Sequence, residues 1–309
     1  MKYLIKYLLT FFILISLASV AAEPVEVKLI SSVSKKMTSE NPSDSLKEAD
    51  SKNSEELDHD QVAVGEWNFS LSLGYGQVES LITGVDDFDL YLLPNISYYG
   101  EKFYLENTTL GYSLFEQENF YIDLVGRLNE DGVYFKLDDF GVFSALGVPP
   151  PGRGPNPPQP EDVDRHLSYL AGLELNYQIA GFDLRTGYYH DISGVHHGYE
   201  LDLSVARYFT ISEHWSWYLA ASATHKSKKL LNYYYGLDED ESLTSFFSYS
   251  PNSSGTNYYL TLSTEYMIND DWSWHGFVKR NYLADEIQDS LIIERKHIDT
   301  YFLGVKYRF

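Results

Sequence analysis

No cysteine occurs in the 309 residues, so the chain has no disulfide, no thiolate metal site and no cysteine nucleophile. Cations are scarce as well: 23 Lys and Arg stand against 45 Asp and Glu, a formal net charge of -22. That balance argues against nucleic-acid binding, because phosphate contacts need clustered Lys and Arg. After residue 22 there is no long apolar run and the mean hydropathy is -0.29, so the chain cannot cross a bilayer as helices. From 23 to 65 aromatic residues are missing altogether, while ten acidic and five basic residues and many Ser and Asn are present. Such a segment buries too little apolar area to offset its ordering entropy, and it is expected to be a disordered acidic tail.

What is abundant is aromatic surface: 27 Tyr, 17 Phe and 5 Trp. In the last run, Tyr301, Leu303, Val305, Tyr307 and Phe309 alternate with Thr300, Phe302, Gly304, Lys306 and Arg308. One apolar and one mixed face is what a strand needs between lipid and a barrel lumen. A chain ending on such a strand with a phenylalanine resembles bacterial outer-membrane barrels, and the resemblance implies that Phe309, with Tyr307 before it, takes part in assembly and closure. At the other end Lys2 and Lys6 precede an apolar run over 7–17, followed by Ala18, Ser19, Ala21 and Ala22. This pattern predicts a secretory signal peptide, residues 1–22. The run is too short to span a bilayer convincingly.

Between these ends the period-two pattern predicts twelve strands, an all-β, antiparallel up-and-down transmembrane barrel over 66–309, with the 23–65 tail in the periplasm. Trp67, Phe69, Leu71, Leu73 and Tyr75 alternate with small and polar residues in the first run; Phe88, Leu90, Leu92, Ile96 and Tyr98 share a face in the second. The third, from Phe103 to Leu114, changes parity and is expected to carry a bulge near 107–109. The fourth covers Phe120 to Leu128, and a turn at 129–132 leads to a short fifth run of Val133, Phe135 and Leu137. Six more begin near His166, Phe182, Gly198, His214, Thr256 and Asp271. Prolines over 149–160 must lie in a loop. Short turns then fall at 99–101, 129–132, 180–181, 210–213 and 268–271, all periplasmic, and long outer connections at 139–165, 226–255 and 284–297. Trp67, Trp215, Trp217, Trp272 and Trp274 collect at the periplasmic rim, as an interface girdle would. Alternation alone would also permit a soluble β-sandwich.

Candidate chemistry is thin. His190, Asp191, Ser193, His196 and His197 share one outer loop, and Ser, His and Asp together raise nucleophilic catalysis; a polar turn around Ser193 and Gly194 explains them equally. Acidic outer runs, Asp238 to Glu241 and Asp285, Glu286 and Asp289, have hard oxygens suited to calcium or magnesium but lack a calcium-loop spacing. Glu174, Asp183, Arg185, Glu200, Asp202, Glu265, His275 and Lys279 should face the lumen and pair there. Arg280 should face outward near the outer rim, where lipopolysaccharide phosphate lies within reach.

Several stretches are similar to the MltA-interacting protein (MipA)/OmpV family of outer-membrane proteins: the run from Leu231 to Gly236 followed by Glu241-Ser242, Pro94-Asn95-Ile96 with Tyr99-Gly100, the 191–198 loop, Asn269 to Ser273, and Leu283 to Glu286. They run in order through 66–309. The resemblance implies a barrel in the outer membrane of a Gram-negative bacterium with no catalytic residue set, cofactor or metal. It implies a non-enzymatic scaffold for peptidoglycan-remodelling enzymes, a lytic transglycosylase and a penicillin-binding protein. The alternatives are a narrow porin-like channel, a surface adhesin or, less favoured, a lipid hydrolase. Expected partners are outer-membrane lipid and lipopolysaccharide, the barrel-assembly machinery and a periplasmic murein synthase or hydrolase.

Overall fold

Period-two alternation sends successive side chains to opposite faces of a strand, and here the sheet closes on itself. The computed structural model describes residues 64–139, 165–238 and 248–309. The expected signal peptide, nearly all of the expected tail, the proline-rich 149–160 stretch and the acidic run after Asp238 lie outside these residues. Twelve antiparallel strands form the barrel, each paired with its neighbours in sequence and the first closing on the last. They are β1 (Trp67–Val78), β2 (Phe88–Tyr99), β3 (Phe103–Glu106), β4 (Thr109–Glu116), β5 (Phe120–Leu128), β6 (Tyr169–Ile179), β7 (Phe182–Asp191), β8 (Tyr199–Ser212), β9 (Trp215–Lys226), β10 (Gly255–Met267), β11 (Trp272–Tyr282) and β12 (His297–Arg308).

Along β12 Tyr301 and Leu303 face out, Leu303 being 61% exposed, whereas Ile298, Thr300 and Phe302 are buried inside. Leu73, Leu173, Leu203, Leu260 and Val278 repeat the exposed pattern on other strands. An apolar exterior around a closed hydrogen-bonded wall is the arrangement that lipid solvates. One end of the barrel carries only short turns, at 100–102, 117–119, 180–181, 213–214 and 268–271; the other carries the two-residue turn 107–108 and the longer connections 79–87, 129–168, 192–198, 227–254 and 283–296. The 180–181 turn has φ +52° at Ala180 and +77° at Gly181, the double positive φ of a type I′ two-residue hairpin.

Three expectations change. The third run is two strands, β3 and β4, joined by a hairpin rather than kinked by a bulge. Asn107 makes that turn at φ +53°; its backbone N–H donates to the Ile96 carbonyl (2.8 Å) and its Oδ1 accepts from Ile96 N (3.0 Å). The fifth run is not a strand but α1 (Glu130–Asp139), so the 129–132 turn belongs to the long-loop end and 117–119 replaces it at the other. These two changes cancel, which preserves the count of twelve and the direction of every strand from β6 onward. In β2, Phe88, Leu90 and Leu93 are buried, not Leu92. The register with β1 slips between Leu73 and Gly76, a bulge that reverses inside and outside.

The long-loop half of the lumen is filled. Ser227 accepts a hydrogen bond from Leu230 N and so caps α2 (Lys228–Tyr235). Its Leu230, Leu231, Tyr234 and Tyr235 pack with Val133 and Tyr134 of α1, Ile287 of α3 (Asp285–Gln288), and the wall residues Val78, Phe88, Phe277, Ile298 and Phe302. Full burial of each such aliphatic side chain stabilises by about 1.5–3 kcal/mol.

Candidate functional site

The helices are fastened to the wall by charge. Lys226, at the end of β9 and 2% exposed, places Nζ 2.6 and 2.5 Å from the two carboxylate oxygens of Asp131 in α1. Tyr235 of α2 donates to the same Asp131 (2.5 Å). Glu200 of β8 lies 3.9 Å from Lys226 Nζ and accepts from Arg127 (2.7 Å) and Asn129 (2.9 Å). Arg127 also meets Asp202 at 2.7 Å and lies 4.0 Å from the Tyr189 ring centroid. Such a network stabilises only while it is complete, because each buried charge depends on its partner.

The lumen residues named from sequence alternation all sit on inward positions. Glu200 and Asp202 join the network above; Lys279 lies 3.5 Å from Glu130. Glu174 accepts from Tyr189 and from Asn176 (2.9 Å). Nearer the short turns, Glu265 holds Ser273 (2.6 Å), Lys306 (3.3 Å) and Arg308. Arg127 has the inward parity of its run, whereas Asp131, Lys226 and Asn129 are not marked by strand alternation. Their signal was Asn129 ahead of Glu130 and Asp131: Asn129 Oδ1 accepts from Gly132 N at 3.2 Å, a helix cap followed by acidic first-turn residues.

The loop rich in His, Asp and Ser converges, but not as a triad. Asp191 accepts from Ser193 N (2.9 Å), Ser193 Oγ (2.6 Å), Gly194 N (3.2 Å), His196 N (2.7 Å) and His197 N (2.8 Å). Ser193 therefore donates to a carboxylate, and its oxygen accepts from Tyr169 N (3.1 Å); no histidine stands behind it as base. Gly198 N donates to His196 Nδ1 (2.9 Å), so the ring proton is on Nε2. Nε2 donates to Ser168 Oγ (3.1 Å), Ser168 to the Tyr234 hydroxyl (3.0 Å), and Tyr234 to the His166 carbonyl (3.0 Å). Burial lowers the His196 pKa from its ordinary value, outweighing the opposite pull of Asp191. The chain of donors ties α2 to the loop and commits both ring nitrogens of His196 to it.

Glu79, His297 and Asp299 could offer three ligand atoms to a metal. Both carboxylates are already engaged: Glu79 accepts from Arg295 (2.9 Å) and Asp299 N (2.8 Å), and Asp299 from Arg280 twice (2.6 and 2.5 Å). Arg280 does face outward, with Asp299 as its partner.

Trp67, Trp215, Trp217, Trp272 and Trp274 open β1, β9 and β11 at the short-turn end, and Trp67 is 54% exposed. Trp215 Nε1 donates to Thr264 Oγ1 (2.8 Å). Tyr307 lies 4.7 Å from the Trp272 ring and 4.9 Å from that of Phe309, whose N–H donates to the Phe69 carbonyl (2.9 Å) across the closing seam.

The sequence model of the family described as MltA-interacting protein MipA matches residues 71–309. The "MltA-interacting protein" of Escherichia coli K12 is 27% identical over 258 residues, covering 80% of this chain and 93% of the relative. A "putative outer membrane protein YiaT" from Escherichia coli O157:H7 is 26% identical, over 77% of this chain and 91% of the relative. Among solved structures, an outer membrane channel from Pseudomonas putida F1 covers 84% of this chain and 99% of its own at 11% identity and a TM-score of 0.35. The KdgM porin covers 79% and 99% at 10% identity and 0.37. A closed barrel with an apolar exterior, matched along its length to outer-membrane relatives, belongs in the outer membrane of a Gram-negative bacterium, and the chain is a member of the MltA-interacting protein MipA family.

Proposed function

We propose that this protein is a non-enzymatic scaffold that holds peptidoglycan-remodelling enzymes at the outer membrane, a lytic transglycosylase and a penicillin-binding protein among them. The observation that carries this reading is kinship over most of the chain with a relative named for its interaction with MltA. The geometry agrees with it: α1 and α2 fill the long-loop half of the lumen and are pinned by Lys226 and Asp131. In this reading residues 1–22 are the export signal, the short turns face the periplasm, and the acidic 23–65 segment is the arm that meets the partner. A photo-crosslinker placed at 23–65 and, separately, at Glu118, Glu213 and Asp270 in intact cells should capture murein enzymes. Capture of surface components alone, from the long-loop side, would reject the scaffold in favour of an adhesin.

A second reading, a narrow channel, is favoured by the polar short-turn half of the lumen around Glu265, Lys306 and Arg308. Steady conductance of the purified barrel in planar bilayers would support the channel over the scaffold.

A further inference from the structure

The outward wall of the described strands carries two arginines, and they are treated differently. On β8 Leu203, Val205 and Phe209 are exposed and Ser204 and Ala206 are buried, so Arg207 shares the lipid-facing side. On β11 Arg280 does the same between exposed Val278 and Tyr282. Arg280 brings its own counter-ion, holding Asp299 through two nitrogens. Arg207 has no carboxylate within ion-pair distance among the described residues. A lone charge on a lipid-facing wall is costly unless its head reaches the interface or meets an anion.

The local geometry supplies both conditions. Arg207 Cζ lies 4.8 Å from the Phe182 ring centroid and 5.3 Å from that of Phe209, and both rings are exposed. The rings hold the guanidinium between them by cation–π attraction. Phe182 is the first residue of β7, immediately after the 180–181 turn, and a Cβ placed on Gly181 would lie 4.0 Å from an Arg207 terminal nitrogen. The long side chain thus runs along the wall and presents its head at the edge of the short-turn rim, as snorkelling cations do. That rim, in outer-membrane barrels, is bathed by the periplasmic leaflet, which is phospholipid. A planar fork with unspent donors, at headgroup depth and flanked by two rings, matches a phosphate group.

We infer that Arg207, cradled by Phe182 and Phe209, binds the phosphate of an anionic phospholipid in the leaflet that faces the short turns. The test is native mass spectrometry of the full barrel in detergent, titrated with phosphatidylglycerol, with diacylglycerol of the same chains, and with lipopolysaccharide. Wild type should retain phosphatidylglycerol in preference to the other two. Arg207→Gln should lower that retention about tenfold, as loss of one charge-assisted contact would, and Arg207→Lys should keep part of it. Arg280→Gln, which removes the arginine that has its own counter-ion, should change nothing. Heat-dependent gel mobility checks that each variant is folded. Equal retention by wild type and Arg207→Gln, or equal retention of phosphatidylglycerol and diacylglycerol, would overturn the site. Displacement by millimolar inorganic phosphate would assign it to a soluble anion, and preference for lipopolysaccharide would assign it to the other leaflet; either result overturns the lipid proposed here.

Discussion

Asp191 accepts five hydrogen bonds from four residues of its loop, Ser193, Gly194, His196 and His197, so the chemistry of that cluster is the chemistry of a fold. Asp191→Ala would strand those donors at a cost of about 1–3 kcal/mol for those that stay buried. Amide exchange over 192–198 should rise sharply, while heat-modifiable barrel persists because the strand ladders do not use this side chain. Ser193→Ala removes one donor and should leave both assembly and exchange nearly unchanged; ester or lipid hydrolysis that disappears in this variant would overturn the structural role. His196 adds a pH dependence. Its pKa is lowered in the fold by burial, so the unfolded chain binds the proton more readily. Its contribution is therefore complete above the ordinary value of about 6.5 and is lost as pH falls below it. The protection factor at Gly198, the intrinsic rate at each pH divided by the observed one, should fall between pH 7.5 and 5. A flat profile would mean that the ring is not held neutral.

At the scale of elements, α1 shows where sequence patterns stop discriminating. Val133, Phe135 and Leu137 alternate over too few positions to separate strand from helix, and Asn129 to Gly132 reads equally well as a turn or as a capped first turn. The deciding contacts are remote: Asp131 meets Lys226 95 residues away, and Arg127 meets Glu200 across 73. No local window holds that information. Ser227 ahead of Leu230, Leu231 and Tyr234 has the form of a helix start, although strand alternation marks 226–255 only as a long outer connection. The fastening of α1 gives a test. Lys226→Met leaves Asp131 and Glu200 buried without their shared cation, and should destabilise the inserted helices by about 3–5 kcal/mol. Adding Asp131→Leu should recover much of that loss, since an apolar pair needs no partner. Thermal unfolding and exchange over 130–135 measure both. If the single variant is as stable as wild type, the network is not what holds the helices in place.

Over the whole molecule, the wall was legible and its filling was not. A strand facing lipid on one side must alternate along its length, so ten of the twelve strands and the tryptophan rim could be read from period and parity, whereas β3 and β4 merged into one run and α1 passed for a strand. The lumen depends on which loops fold inward, and that choice rests on packing between distant segments. The same parity permits a quantitative test on β12. Leu303 faces outward at mid-wall, in register with Tyr75 and Gly276, whereas Val305 is paired with Trp274 and Leu73 in the tryptophan row. Leu303→Arg should then cost about 2–4 kcal/mol as a charge in hydrocarbon, and Val305→Arg about 0–1 kcal/mol at the interface. Lys306→Arg, on the inner face beside Glu265, should be neutral. Deleting Phe309 removes its hydrogen bond to Phe69 and its contact with Tyr307, and should reduce assembled barrel. Heat-modifiable protein in outer-membrane fractions, measured for all four, should rank Lys306→Arg highest, Val305→Arg next and Leu303→Arg lowest of the substitutions. If Leu303→Arg assembles as well as Lys306→Arg, the exposed face of β12 does not meet hydrocarbon, and the barrel is not seated in the membrane by the apolar band that its alternation defines.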